Sequence, residues 1–193
     1  MEKNVFMTKQ PQIVFSGNNK VLVLLNEQQI VEQLGGMEAG DIPAAERTAY
    51  QYDCYWLTLP STAPHDAAAV LEAAKTSMLA DITAYDSSTA VNAFELNGME
   101  VWLDKATRVG LMNSTTIAKS MGQKTTTLWL GSYQLEVDCD KAIQLLSALE
   151  MYALECFNVT AAHKKAVSSI ESIEDVLTYD YKSGYPEKLK MEV

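Results

Sequence analysis

Cysteine and histidine are scarce in this sequence, which contains three cysteines and two histidines in 193 residues. Cys54, Cys139 and Cys156 are odd in number and form no CxxC pair. The sequence therefore predicts neither a disulfide framework nor a zinc site. With His65 in a Pro-flanked loop and His163 on the predicted long helix, a histidine-based metal site or triad would have almost no redundancy. We expect reduced, mostly buried cysteines and no metal or cofactor.

Basic residues are also few, with 15 Lys and Arg against 25 Asp and Glu and a net charge of -10. Phosphate binding depends on clustered cations, so the charge argues against a nucleic-acid partner and against anionic membranes. No stretch approaches the ~20 apolar residues of a membrane span, and the N-terminus lacks the apolar core of a secretory signal. We expect a chain that folds in the cytoplasm, and 48% apolar residues predict folded structure throughout.

The sequence lacks the common catalytic motifs. None of the phosphate-loop, dinucleotide, acyl-transfer or zinc-protease signatures occurs. Cys156 and His163 are seven residues apart on a predicted helix, which places them ~10 Å apart along its axis. This distance is too long for a nucleophile and its base to touch. We expect both residues to be structural, and we predict a protein that is not an enzyme.

The segment Cys139–Ile170 lies within the longest stretch of the chain without Gly or Pro. Its apolar residues recur at alternating spacings of four and three, which keeps them on one stripe of a helix. We predict one long helix that is capped by Asp138 and ends between Lys165 and Ile170. The stripe comprises Leu145, Leu149, Tyr152, Cys156, Val159, His163, Ala166 and Ile170.

Two turn sequences ahead of this helix predict hairpins, Asn97-Gly98 and Gly131-Ser132. The predicted strands are 91–96 with 99–103, and 125–130 with 133–137. Asp104 is expected to cap a helix over 105–121 between the two hairpins. The order β-β-α-β-β-α predicts an α+β unit in which both helices lie on one face of a small antiparallel sheet.

The N-terminal part is predicted to be β-rich. We expect a hairpin of strands 13–15 and 20–25, a short helix at Asn26–Leu34, and a loop at Gly35–Pro43. The aromatic segment Ala49–Leu59 predicts a central strand, with Gln51 and Asp53 on a side that is at least partly wet. A helix over 67–84 should follow Asp66. The predicted domains are 1–60, a β-rich unit; 61–89, a helix and linker that ends in the polar break Asp86–Thr89; and 90–193, an α+β domain.

The second half of the chain resembles a domain of unknown function that occurs in proteins of tailed bacteriophages and prophages, often encoded near tail-fibre genes. The resemblance covers about Ala90 to Leu189. It is carried by Trp102-Leu-Asp104 after the first hairpin, Arg108, the helix from Leu145 to Ala166 with His163, Tyr179-Asp-Tyr181, and Gly184-Tyr-Pro186. Many members have Gly-Trp-Pro at the last position, so Tyr185 keeps an aromatic anchor there.

The resemblance implies a non-enzymatic phage tail protein. Such a protein is either a tail-fibre adaptor or structural component of the virion tail, or an assembly factor that acts in the host cytoplasm. Its implied partner is a tail or tail-fibre protein, and no catalytic residues are attributed to the family. Two alternatives remain: a bacterial protein- or peptide-binding module that uses the wet side of the strand Tyr50–Leu59, and a small enzyme with a site near Cys156 and His163.

The long helix has more apolar surface than two hairpins and a shorter helix obviously cover. We therefore expect part of it to contact another chain, either a second copy or the fibre protein. The candidate interface residues are Leu145, Leu149, Tyr152, Phe157 and Val159.

Overall fold

A computed structural model describes residues 2–33 and 46–193 of the chain. This part has the mixed α+β architecture that the sequence predicts, with small, mainly antiparallel sheets and one long helix. Within it, none of the helices combines the length and the apolar character that crossing a membrane requires. The elements in chain order are β1 (Glu2–Phe6), β2 (Ile13–Phe15), β3 (Lys20–Gln33), β4 (Glu46–Thr58), α1 (Ala67–Asp86), α2 (Thr89–Asn92), β5 (Phe94–Leu96), β6 (Met99–Val101), α3 (Lys105–Ser120), β7 (Thr125–Leu130), β8 (Tyr133–Asp138), α4 (Cys139–Ser169), α5 (Ile173–Leu177) and β9 (Lys190–Met191).

The contacts divide the chain into two compact units. The first comprises Met1–Met78 and Ser169–Tyr179, and the second comprises Leu79–Ser168 and Asp180–Val193. The predicted domain boundary at residues 86–89 is a different kind of statement, because it concerns whether the two parts of the chain fold independently. It stays a prediction, as does the independent folding of residues 90–193.

The first unit is built on a four-stranded sheet of order β1-β4-β3-β2. The predicted central strand is confirmed, because β4 pairs with a strand on each side. The predicted hairpin of β2 and β3 is also confirmed. Asn18 and Asn19 have positive φ angles of 62° and 57° in its turn, a conformation that asparagine tolerates better than most residues.

The predicted short helix at Asn26–Leu34 is wrong, because β3 continues to Gln33. Its second half, from Gln28, pairs with β4 after a register shift between Leu25 and Gln28. Asn26 has a φ of 54° at this bulge. The pairing partner, Glu46–Gln51, is distant in sequence, so a tertiary contact overrides the local helical pattern. Leu34 and the predicted loop Gly35–Pro43 lie outside the described residues.

The prediction of a wet side on β4 is wrong for Asp53, which is buried. Its Oδ2 accepts a hydrogen bond from Asn26 Nδ2 at 2.8 Å, which satisfies a carboxylate that would be costly to bury alone. Ala49 and Leu57 are buried on the same side of the strand. Trp56 is on the side that was expected to pack, yet it is 53% exposed. Exposure therefore increases toward the end of the strand on the side of Trp56 only.

Both predicted hairpins of the second unit are confirmed. Asn97 and Gly98 have φ angles of 50° and 78°, as a type I′ turn requires. The predicted strand start at Val91 is wrong, because α2 occupies Thr89–Asn92 and β5 begins at Phe94. Ser88 caps α2 by accepting from the Ala90 N–H at 3.2 Å. The expectation of one small antiparallel sheet is wrong, because the hairpins form separate sheets and β9 pairs parallel to β5 in the first of them.

The predicted helix starts are confirmed at three aspartates. Asp66 accepts from the Ala69 N–H, Asp104 from the Thr107 N–H, and Asp138 from the Asp140 N–H, each at 2.8 Å. In Asp104 the bond from the Thr107 N–H is the main reason that the carboxyl pKa lies below its usual value. Short acidic side chains at these positions satisfy backbone donors that the helix itself leaves free.

The long helix is confirmed as α4, but its buried stripe follows the prediction only to Cys156. Beyond that residue the buried positions are Thr160 and Val167, not Val159 or Ala166. A strict spacing of 3.5 residues drifts ~20° per heptad around a straight helix of 3.6 residues per turn. In the last turns of α4, the buried residues therefore lie one position later in the sequence than the predicted ones.

Candidate functional site

The structure separates the five predicted interface residues into two groups. Leu145, Leu149 and Tyr152 are at most 7% exposed, so the prediction that they form an intermolecular surface is wrong. They belong to the core of the second unit with residues of both hairpins. Val159 is half-buried, and Phe157 is 61% exposed. Of the five, Phe157 is the residue that a partner can reach most fully.

Phe157 borders a groove in the second unit with a volume of about 540 Å³. We call it the Phe157 groove. Its walls come from α4, from the start of α3 with the segment before it, and from the end of α1. Representative residues of these walls are Glu150, Leu154, Phe157, Trp102, Arg108 and Asp86. The volume falls within the range of protein ligand sites.

Large apolar side chains are exposed around this groove. Trp102 is 39% exposed, Leu154 is 48% exposed, and Met151 on the same helix is 58% exposed. Residues 151, 154 and 157 are three apart, so they lie within an arc of ~120° on α4. Contiguous exposed apolar residues with a polar surround are typical of protein interaction sites. The arrangement favours protein binding over binding of a charged small molecule.

Arg108 forms the floor of the groove and links three elements. It is 8% exposed, and its Nε donates to Glu150 Oε1 of α4 at 2.8 Å. Its Nη1 donates to the backbone carbonyl of Leu103, also at 2.8 Å. A guanidinium holds two acceptors in fixed directions, so Arg108 positions Trp102 and Leu103 against α4.

The C-terminal segment packs its tyrosines on the second unit, as the sequence predicts. The Tyr85 ring contacts both Tyr181 and Tyr185 edge-on, with centroids 5.6 Å apart in each pair. Thr160 is buried, and its hydroxyl donates to Asp86 at 2.7 Å and lies 2.9 Å from the Tyr185 hydroxyl. This network stabilises the end of α1, which contributes Asp86 to the groove wall.

Cys156 and His163 each contact a backbone carbonyl of the second unit. The Cys156 thiol is completely buried and donates to the Val91 carbonyl at 3.5 Å. Burial raises its pKa, which favours the thiol over the nucleophilic thiolate. His163 Nε2 lies 2.9 Å from the Ser183 carbonyl. In the described part of the chain, no group of three His, Cys, Asp or Glu residues could hold a metal ion.

The buried hydroxyl of Tyr152 is expected to make the protein lose folding stability at alkaline pH. Its hydroxyl donates to the Val91 carbonyl at 2.8 Å, and burial raises its pKa from 10.0 to about 12. As the pH rises, the Tyr152 hydroxyl loses its proton in the unfolded chain before it does so in the folded protein. The free energy of unfolding is therefore constant below pH ~10 as far as this group is concerned, and it falls between pH ~10 and ~12 by at most about 1.4 kcal/mol per pH unit. Tyr152→Phe should lack this component. Urea unfolding of both proteins from pH 8 to 11 measures the difference, and parallel pH curves would contradict the assignment.

Sequence reasoning named Trp102 within the family resemblance but did not connect it to Phe157. It missed Met151 and Glu150. Both could be found only by knowing which side of α4 the hairpins cover. Arg108 is one of the residues that carry the family resemblance, whereas its partner Glu150 is not.

The chain matches no protein-family model, and no curated protein or solved structure shows significant similarity to it.

Proposed function

We propose that this protein is a non-enzymatic tail protein of a tailed bacteriophage or prophage that binds a tail-fibre protein. The observation that supports the proposal best is the Phe157 groove, with exposed aromatic and aliphatic side chains around the ion pair of buried Arg108 with half-buried Glu150. The resemblance over Ala90–Leu189 supplies the class of partner. Protein interfaces are typically centred on aromatic and aliphatic anchors that fill pockets of the partner.

The geometry favours a preformed docking surface. Trp102 and Phe157 come from different elements, and the Arg108–Glu150 pair holds those elements together. A surface of this kind loses little conformational entropy when a partner binds. In the proposal, the fibre protein inserts apolar side chains between Trp102 and Phe157 during assembly in the host cytoplasm. The protein then acts as an adaptor in the virion tail or as an assembly factor.

The test is co-expression with the fibre protein from the neighbouring gene, followed by light scattering and titration. Leu154→Ser with Phe157→Ser is expected to weaken binding about tenfold or more, because the changes remove two anchors of the groove. Trp129→Ser is the matched control. Trp129 is 57% exposed and lies on β7, outside the groove-lining residues. Both variants should melt close to the parent, because the altered side chains are exposed.

Three results would count against the proposal. The first is a protein that does not bind the adjacent fibre protein, and the second is equal weakening by the Trp129 control. The third is a gene neighbourhood of metabolic enzymes instead of tail or baseplate proteins. A homo-oligomer broken up by the groove variant would identify a second copy as the occupant of the groove.

A further inference from the structure

The outward side of α3 and its C-terminal cap carries exposed residues that are all uncharged. At 100° per residue, these residues fall within an arc of about 140° around the helix. Three of them are large and apolar: Val109 is 42% exposed, Ile117 is 58% exposed, and Met121 is 74% exposed. We call this surface the α3 face, and its eight exposed residues are Ala106, Val109, Gly110, Asn113, Thr116, Ile117, Ser120 and Met121.

The absence of charge from the α3 face is unusual for an exposed helix surface. Solvent-facing sides of helices ordinarily carry charged residues, and 21% of the residues in this chain are charged. Lys105 and Lys119 lie on the flanks of the helix, outside the arc, and the sequence from Lys105 to Leu135 contains no Asp or Glu. Depletion of charge among exposed apolar residues is typical of the centre of a protein interface. The α3 face therefore has the composition of a contact surface.

Most polar side chains of the α3 face are already bonded within the helix. The Thr116 hydroxyl donates to the Met112 carbonyl at 2.8 Å, and the Ser120 hydroxyl donates to the Ile117 carbonyl at 2.7 Å. Within residues 2–33 and 46–193, the side-chain amide of Asn113 has no hydrogen-bond partner. Asn113 lies near the middle of the face, both along the helix and around it. Its amide is therefore left to bond a group outside the helix.

The charge of the chain indicates where a second copy can approach. The Phe157 groove is lined by three carboxylates, Asp86, Asp104 and Glu150, so another chain of net charge -10 meets like charge there. The α3 face presents none. An amide contains both a donor and an acceptor, so two copies of Asn113 satisfy each other when they lie on opposite sides of a twofold axis.

We propose that the α3 face binds a second copy of this chain, with the two α3 helices antiparallel across a twofold axis at Asn113. Residues equally far from Asn113 in opposite directions then meet, so Val109 of one copy packs against Ile117 of the other. Such an interface uses the same surface on both subunits, which is the commonest symmetry of protein dimers. An asparagine at the centre of a helical interface fixes the register of the pair.

Two further features suit this arrangement. Among the described residues, a Cβ added to Gly110 would have no atom within 4 Å, although Gly is less favourable than Ala inside a helix. The small residue allows the second helix to approach closely. The two copies of Lys105 lie at opposite ends of the pair, about 24 Å apart along the axis. This separation exceeds the Debye length at physiological ionic strength, so their repulsion is screened.

The dimer is expected to be weak and dependent on concentration. Residues 106–121 span only about 22 Å of helix, and interfaces that bury less than ~1,200 Å² are typical of transient complexes. Sedimentation equilibrium of the full chain should show the mean mass rising from 21.3 kDa toward twice that value between about 1 and 200 µM. This inference does not depend on the proposed fibre binding, because the α3 face shares no residue with the lining of the Phe157 groove.

An engineered disulfide tests the position of the axis. Asn113→Cys places two identical thiols next to each other at the twofold, within the reach of a disulfide. The native cysteines are buried, so they contribute little background. Oxidation with diamide should give a covalent dimer on a non-reducing gel. Ser114→Cys is the matched control, since residue 114 is exposed but points about 100° away around the helix, and it should cross-link at least tenfold more slowly.

Two further variants test the packing. Ile117→Glu should raise the dissociation constant of the dimer at least tenfold, because it buries a charge in the contact. Val31→Glu is its control: Val31 is 62% exposed on β3, and the change should leave the dimer intact. Gly110→Met should also weaken the dimer at least tenfold by blocking close approach. Its melting temperature should not fall, because Met favours a helix more than Gly.

The proposal is overturned if the chain stays at 21.3 kDa at about 200 µM, or if Asn113→Cys cross-links no faster than Ser114→Cys. It is also overturned if Ile117→Glu leaves the dimer intact. A dimer that is separated by the Leu154 and Phe157 changes instead would place the second copy in the Phe157 groove. Loss of fibre binding alone in that groove variant leaves this proposal intact, so the two proposals fail separately.

Discussion

Leu149→Ala is expected to lower the free energy of unfolding by about 2–5 kcal/mol, whereas Leu154→Ala on the same helix should change it by less than about 0.5 kcal/mol. Leu149 is 1% exposed in the core of the second unit, and Leu154 is 48% exposed. Truncating the buried leucine removes its transfer free energy and leaves a cavity between α4 and the hairpins. The exposed leucine loses little packing.

Urea unfolding with a circular-dichroism readout measures both variants, and binding to the fibre protein provides the second readout. The expected pattern is a crossover: Leu149→Ala lowers stability, and Leu154→Ala weakens binding. If Leu149→Ala left stability unchanged but removed binding, the sequence-based interface prediction would be right and the core assignment wrong.

Arg108→Met is expected to cost about 2–3 kcal/mol of folding free energy, a large effect for a change that conserves most of the side-chain volume. It removes one partner of a charge-assisted hydrogen bond to Glu150 and leaves the buried Leu103 carbonyl without this donor. Orphaned buried acceptors typically cost about 1–3 kcal/mol each. Glu150 has 36% of its side chain exposed, so water compensates part of its loss.

The matched variant is Glu150→Gln, which keeps an acceptor for Arg108 and should cost less than about 1 kcal/mol. The double variant Arg108→Met with Glu150→Leu should recover part of the lost folding free energy, because an apolar pair leaves no unpaired charge. Thermal melting of the parent, Arg108→Met, Glu150→Leu and the double variant completes a double-mutant cycle. Additive losses would show that the two side chains do not act together in forming the floor of the groove.

Local sequence signals predicted the elements whose ends are fixed by their own residues. Asp66, Asp104 and Asp138 cap helices because a short carboxylate reaches free N–H groups within one turn. Asn97-Gly98 makes a tight turn because it can adopt positive φ. The existence of α4 follows from apolar residues at helical spacing after the Asp138 cap. None of these features needs a distant partner.

The sequence-based predictions were wrong where a residue distant in the chain determines the local structure or burial. Gln28–Gln33 forms a strand because β4 lies beside it. The pairing of β9 with β5 joins residues almost a hundred positions apart, which no local pattern reports. Asp53 is polar in sequence yet buried, because Asn26 at the bulge of β3 satisfies its carboxylate.

The sequence by itself determined the α+β class, the caps and turns, the acidic charge and the apolar character of α4. Only the tertiary structure decided which apolar residues of α4 remain accessible. Leu149 and Phe157 are equally plausible as buried residues from their chemistry, yet one is covered by the hairpins and the other faces the groove. The physical reason is that burial depends on which elements pack against each side of a helix, and those contacts join residues far apart in the chain.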